Sequence, residues 1–175
     1  DSLTELVYSD DAEGGSSFVA SADVSMSAGT QYWFLVANPF SVDSGPLQLS
    51  LGIPPANDLR EAAIDLPQSS PGATGDNRGA IRHDGEFGYH GLWYKWSPQQ
   101  DGGYSFATAG SEIDTLLVVH VGDSPDNLDR LGINDNDRNN DTVTSRLDLN
   151  LLAAETYWIA VSASDEGNFG AVRIR

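Results

Sequence analysis

The last fifty residues of the chain repeat the first fifty at one fixed, ungapped offset of 125 positions. The clearest match is the dipeptide Tyr-Trp, which stands at 32–33 and again at 157–158. Eight further identities lie on this offset and pair Asp1, Leu3, Leu6, Asp10, Asp23, Ala28, Val36 and Gly45 with Asp126, Leu128, Leu131, Asp135, Asp148, Ala153, Val161 and Gly170. Apolar character is also kept at five further pairs of positions related by this offset. They align Val24, Met26, Phe34, Leu47 and Leu49 with Leu149, Leu151, Ile159, Val172 and Ile174. This pattern predicts two copies of one structural unit.

A proline-rich junction divides the chain after the first copy. Residues 52–56 read Gly-Ile-Pro-Pro-Ala, and paired prolines stop a strand ladder and stiffen the backbone. Residues 57–125 supply a front half that has no counterpart among 1–52. We therefore expect 1–52 to be the back half of a repeat unit, 53–56 a linker, and 57–175 a complete unit.

The front half at 57–125 has two candidate back halves, 1–52 and 126–175. A permuted domain, a domain-swapped dimer and tandem self-association are therefore all open. The connection at Ser124 and Pro125 is short, so pairing with 126–175 costs less loop entropy and is expected within the chain. Residues 1–52 are then left with open strand edges.

Short β-rich runs, separated by Gly, Pro, Asn, Asp and Ser, fill most of the sequence. Strands are predicted at 3–8, 20–26, 31–36, 47–51, 92–97, 103–108, 115–121, 130–133, 145–151, 156–161 and 171–174. Good helix formers cluster only at 57–64. This spacing predicts an all-β fold, an antiparallel β-sandwich of jelly-roll type, with an extra half-unit at the N-terminus.

The composition narrows the range of partners. A net charge of −17 argues against nucleic acid and anionic lipid, because phosphate binding needs clustered Lys and Arg. There is no cysteine, so disulfides and thiolate metal sites are excluded. No apolar run is long enough to span a bilayer, and no membrane insertion is expected.

Six blocks, taken in order, resemble the bacterial pre-peptidase C-terminal domain family. They lie at 56–62 (ANDLREA), 91–98 (GLWYKWSP), 102–106 (GGYSF), 113–119 (IDTLLVV), 134–137 (NDND) and 157–161 (YWIAV). The resemblance implies a jelly-roll sandwich without catalysis of its own, attached to secreted peptidases or strung in tandem on extracellular bacterial proteins. It therefore also implies a secreted or cell-surface location.

Related collagen-binding domains hold a polymeric substrate, and calcium orders the linker at their start. The corresponding segment here offers Asn57, Asp58 and Glu61, but the fuller run of acids is absent. The expected ligand is a polymeric protein, which the resemblance implies, or a polysaccharide, which the aromatic residues near 90 would suit.

The segment 134–141 (NDNDRNND) is rich in the oxygen ligands that calcium prefers. Asp135, Asp137, Asn139 and Asp141 have the alternating spacing of a calcium loop, although the glycine and the distant Glu of an EF-hand are missing. The alternative is a hairpin loop whose Asx side chains bond their own backbone. Both interpretations remain open at this point.

Aromatic residues near 90 are candidates for ligand contact. Strand alternation places Leu92, Tyr94 and Trp96 on one face, which we assign to the core, and Trp93 with Lys95 on the other. With Tyr89, His90 and Arg82, these last two could form an apolar platform with polar contacts for a sugar ring or peptide. The alternative is that Trp93 packs under its own loop.

Catalytic patterns are absent from the sequence. His83 and His90 lie seven positions apart around glycines, and His120 lies in a predicted strand. There is neither an HExxH motif nor a Gly-x-Ser-x-Gly motif. No catalytic residue is predicted, and the chain is not expected to be an enzyme.

Overall fold

The structure is a computed structural model that describes residues 3–9, 20, 22, 24, 26–37, 45–47, 49, 51–69, 71–83, 85–138 and 142–175. The chain divides into two compact units, Asp1–Ser50 and Leu51–Arg175. The two units are called the first and the second unit below.

The second unit is built from β-strands. Its described residues form a single 3₁₀ turn at Arg60–Ala62 and nine strands: β1 Ile64–Asp65, β2 Ala73–Asp76, β3 Tyr89–Trp96, β4 Gly102–Ala107, β5 Thr115–Ser124, β6 Asn127–Asn134, β7 Arg146–Leu151, β8 Tyr157–Ala163 and β9 Ala171–Ile174. All seven strands predicted between 92 and 174 are confirmed, with ends shifted by at most a few residues. β1 and β2 were not predicted.

Five strands form the main sheet, in the order β1-β3-β8-β5-β6. β1 runs parallel to β3, and the other neighbours are antiparallel. β2 pairs with β9 and β4 with β7 as two antiparallel ribbons. Two backbone hydrogen bonds between Ala107 and Arg175, of 2.8 and 3.0 Å, link the ribbons.

One hydrophobic core lies between the main sheet and the ribbons. The sheet contributes Leu92, Tyr94, Trp96, Leu117, Val119, Tyr157, Ile159, Val161 and Ala163, and the ribbons contribute Phe106, Leu151, Val172 and Ile174. Two β-layers around one core confirm the predicted all-β sandwich. The jelly-roll type and the extra half-unit stay predictions.

The second unit is closed by its own back half. β2, β3, β4 and β5 each pair with at least one strand from 126–175. The short β5–β6 connection keeps these strands close in sequence, which is the reason for expecting this pairing.

The first unit differs, because none of its described residues lies in a strand. The strands predicted at 3–8 and 31–36 are therefore wrong, and those at 20–26 and 47–51 fall partly outside the described residues. A strand is defined by the ladder it forms with a neighbour, and side-chain alternation alone does not supply that neighbour.

One hydrogen bond occurs in both units at equivalent positions. In the first unit, the backbone N–H of Ser27 donates to the hydroxyl of Tyr32 at 2.8 Å. In the second, the backbone N–H of Leu152 donates to the hydroxyl of Tyr157 at 2.9 Å. The offset of 125 positions relates both partners.

The turns inside these two hydrogen-bonded segments also match. Residues 28–29 and 153–154 are turns, and the second turn residue has a left-handed backbone in each, with φ of +79° at Gly29 and +65° at Ala154. Glycine adopts this conformation without the steric cost that a Cβ imposes. The two segments therefore share a local conformation as well as a sequence pattern.

Candidate functional site

The outer face of the main sheet, which points away from the sandwich core, carries a row of polar and aromatic side chains. Strand register aligns one residue from each of the five strands, in the order Asp65, Lys95, Trp158, His120 and Arg130. Side chains at directly opposed positions project from the same face of a sheet. We call these five residues the outer row.

A second, apolar line runs beside the outer row. Its register partners are Trp93, Ala160, Val118 and Ile133. Trp93, Ala160 and Val118 pack with Ala63 and Trp158 in a small hydrophobic cluster separate from the sandwich core. The alternation prediction for β3 is thus confirmed, since Leu92, Tyr94 and Trp96 face the core while Trp93 does not.

Three cationic side chains lie over aromatic rings around this face. Their charged atoms stand 5.9 Å from the ring centre for Arg60 over Trp93, 5.8 Å for Lys95 over Trp158, and 4.6 Å for Arg130 over Phe87. Such contacts contribute about 0.5–1 kcal/mol each at exposed sites. Three of the nine basic residues of a strongly acidic chain therefore gather in one region.

Trp93 is covered, with only 3% of its surface exposed. Its indole N–H donates to the Glu86 carboxylate at 2.6 Å, and the Arg60 guanidinium lies over its ring. The expectation that Trp93 offers a flat exposed platform is therefore wrong. The loop before β3 and the 3₁₀ turn close over the ring, as in the alternative interpretation.

His120 is a member of the outer row that no sequence motif marks as a ligand residue. It is 8% exposed, its ring centre lies 5.7 Å from that of Trp93, and its Nδ1 is buried without a hydrogen-bond partner. The net effect of the surroundings is to lower the pKa of His120 from its usual 6.5, chiefly through burial. A hydrogen bond with the Trp158 backbone opposes this shift, and the cations of Arg130 and Arg60 add to it. The ring is therefore neutral at pH 7.

Lys95 and Arg130 are the two cationic members of the outer row, and both are accessible to solvent. The Lys95 ammonium lies 3.6 Å from the Asp65 carboxylate, and 32% of its side chain is exposed. Arg130 is exposed at the edge strand β6. Groups on an incoming molecule can therefore reach both charges from solvent.

The other predicted ligand residues lie elsewhere. Tyr89 packs against the sandwich core, and the Arg82 guanidinium stands 5.1 Å from the centre of its ring. Of the five residues predicted for ligand contact, the structure brings only Trp93 and Lys95 to the outer face.

His90 ties two loops together at the start of β3. Its Nδ1 lies 2.7 Å from the Ala80 carbonyl and its Nε2 lies 2.8 Å from the Glu166 carbonyl, while its ring stacks on Phe169 at 4.3 Å. Both ring nitrogens thus lie within hydrogen-bonding distance of a carbonyl oxygen. Neither nitrogen is left for a ligand in this arrangement.

Two of the four predicted calcium ligands are described. Asp135 is exposed and accepts a hydrogen bond from the Asn136 amide at 2.9 Å, whereas Asp137 is buried and its backbone N–H donates to Thr144 at 2.6 Å. Asn139 and Asp141 lie outside the described residues. Among the residues that are described, no three His, Cys, Asp or Glu side chains converge as a metal would require.

A recess of about 130 Å³ adjoins this loop. It is lined by Asn134, Asn136, Asp137, Arg138, Arg146 and Asp148. Arg146 pairs with Asp148 at 2.9 Å. The lining thus holds two guanidinium groups and two carboxylates, and its charges balance.

The acidic start of the second unit has a structural role. The side-chain amide of Asn57 donates to the Trp93 carbonyl at 3.0 Å, and the backbone N–H of Trp93 donates to the Asn57 carbonyl at 2.8 Å. Asp58 accepts from the backbone of Ile81 at 2.8 Å and lies 3.1 Å from the His83 ring. Both side chains are buried, so they anchor the first turn to β3 and its preceding loop.

No family model and no curated protein matches this sequence. Within the described part of the chain, no helix has the length and apolar character needed to cross a membrane.

Proposed function

We propose that the chain is a non-catalytic accessory module of a secreted bacterial protein, of the kind attached to extracellular peptidases. It binds a polymeric protein or polysaccharide substrate, or a surface, through the outer face of the main sheet. The observation that carries this proposal is the outer face of the main sheet, where three cations stand over aromatic rings in an otherwise acidic chain. The sequence resemblance described above supports the secreted setting.

The chemistry of the outer face favours ligands that carry carboxylate or sulfate groups beside apolar surface. Arg130 and Lys95 supply accessible charge, and a guanidinium matches a carboxylate with two parallel hydrogen bonds. The acidic remainder of the chain repels an anionic polymer. Binding is therefore directed to the outer face, where three of the cations gather.

Titration calorimetry with collagen-like peptides, an acidic polysaccharide and a neutral polysaccharide tests this function. Substituting Arg130→Ala should weaken binding of the preferred polymer about tenfold, because one charge-assisted contact contributes roughly 1.4 kcal/mol or more. Arg173→Ala on β9 is the matched control, since Arg173 is exposed but lies in a ribbon. Undiminished affinity in Arg130→Ala would count against the outer face.

The second candidate function is a structural spacer in a tandem array of a large adhesin-like surface protein. The hydrogen bonds to Tyr32 and Tyr157, which share the 125-residue offset, favour it. Calcium held near Asp135 and Asp137 would stiffen such an array. In that case calcium should raise the melting temperature of the natural chain, and Asp135→Asn should reduce the increase; equal melting curves in calcium and in chelator would remove the ion from the proposal.

A further inference from the structure

The first unit exposes apolar side chains at positions whose counterparts in the second unit are buried. Met26, Phe34, Val36, Leu47 and Leu49 are between 41% and 63% exposed. Their counterparts 125 positions later, Leu151, Ile159, Val161, Val172 and Ile174, are at most 1% exposed. The pattern of a sandwich core is thus present in the first unit without a covering layer.

The second unit shows what covers this pattern. Its five buried counterparts lie in β7, β8 and β9, and all five belong to the sandwich core. From 57–125, the same core receives Leu92 and Tyr94 of β3, Phe106 of β4 and Leu117 and Val119 of β5. The partner of the pattern is therefore a segment with the strands β2 to β5.

The backbone of the first unit already has part of the required conformation. The turn at 28–29, the positive φ of Gly29 and the Ser27–Tyr32 hydrogen bond reproduce the turn that leads into β8. This turn sets the start of the strand that β3 and β5 flank in the second unit. Residues 32–36 are thus placed to enter a sheet between two such strands.

We propose that the apolar side chains of the first unit at Met26, Phe34, Val36, Leu47 and Leu49 are a docking surface for a polypeptide segment of the 57–125 type placed before them in the same chain. That segment completes a second sandwich by strand pairing. Extended segments bind one another in this way because main-chain hydrogen bonds supply affinity and alternate side chains supply register. Burial of the five exposed apolar side chains provides the driving force.

A longer chain tests the proposal directly. A copy of residues 51–125 is joined before Asp1, so that Pro125 of the copy precedes Asp1 as it precedes Asp126 in the natural chain. Hydrogen exchange, read by mass spectrometry on the peptide 31–36, should slow at least about a hundredfold relative to the 175-residue chain without the added copy. Chymotrypsin cleavage after Trp33 and Phe34 should slow with it.

The control carries Phe34→Asp and Val36→Asp in the same extended chain, and it should exchange as fast as the natural chain does. Unchanged exchange at 31–36 in the extended chain without these substitutions overturns the proposal. The proposal is also overturned if the β3 amides of the added segment exchange without protection, because the first unit would then fail to complete a sandwich with that segment. Protection in the natural chain that rises with protein concentration assigns the surface to a second copy and likewise overturns it.

Discussion

Residues 26–49 and 151–174 carry one apolar pattern in two different environments. In the second segment the pattern forms β8 and β9 and is buried in the core, whereas in the first it stays exposed and no described residue is in a strand. The second segment is covered by strands from 57–125, which pair with β8 and β9. Alternating apolar residues therefore specify a face, and a neighbouring strand turns that face into structure.

The largest expected effect comes from truncating an apolar side chain at one pair of matched positions, buried in the second unit and exposed in the first. Ile159→Ala should lower the free energy of unfolding by about 2–5 kcal/mol, because it leaves a cavity in a fully buried site. Phe34→Ala should change it by less than about 0.5 kcal/mol, as is typical of surface substitutions. Urea unfolding followed by circular dichroism measures both.

Equal losses from these two substitutions would mean that the face around Phe34 is already covered in solution. The two segments would then not differ in the burial of their apolar side chains. Repeating the measurement over a range of protein concentrations would show whether a second copy covers the face.

A medium effect is expected at the two matched tyrosines. Tyr157→Phe leaves the Leu152 amide without its acceptor, and the free energy of unfolding should fall by about 0.5–1.5 kcal/mol. Tyr32→Phe should leave global unfolding unchanged but speed hydrogen exchange at the Ser27 amide. If Tyr32→Phe has no effect on that amide, the local conformation shared by the two units is not formed in the first.

The smallest expected effect concerns the left-handed turn residue. Ala154→Gly introduces the residue that the first unit has at position 29, and it relieves the steric cost of φ +65°. The greater freedom of glycine in the unfolded chain offsets part of this gain, so a net stabilisation of roughly 0.5 kcal/mol is expected. A raised melting temperature checks it, and a lowered one would show that the Ala154 turn is not strained.

The sequence predicts the strands of the second unit well, because their runs of β-branched and aromatic residues lie between clear turn signals. β2 is missed because Ala-Thr-Gly-Asp has little β-propensity and forms a strand only through its pairing with β9. The strands predicted at 3–8 and 31–36 fail for the opposite reason, since these segments have good β-propensity but form no ladder among the residues that the structure describes.

The candidate site is harder to predict from the sequence than the strands are. Alternation in β3 places Trp93 and Lys95 on one face, but it does not show that Glu86 and Arg60 cover the indole. His120 and Arg130 join them only through strand register, which brings together residues far apart in sequence. The one local signal is strand alternation. Leu117 and Val119 face the core, so His120 is expected on the opposite face of β5.

The β2–β9 ribbon also determines when this sandwich can fold. Ala73 pairs with Ile174, so one layer closes only after almost the whole unit has been synthesised. At a translation rate of about 5–20 residues per second, β3 waits on the order of several seconds for that last strand. During this delay its apolar side chains face water or a chaperone, and aggregation competes with folding. The yield of folded protein therefore depends on how quickly the final strand arrives.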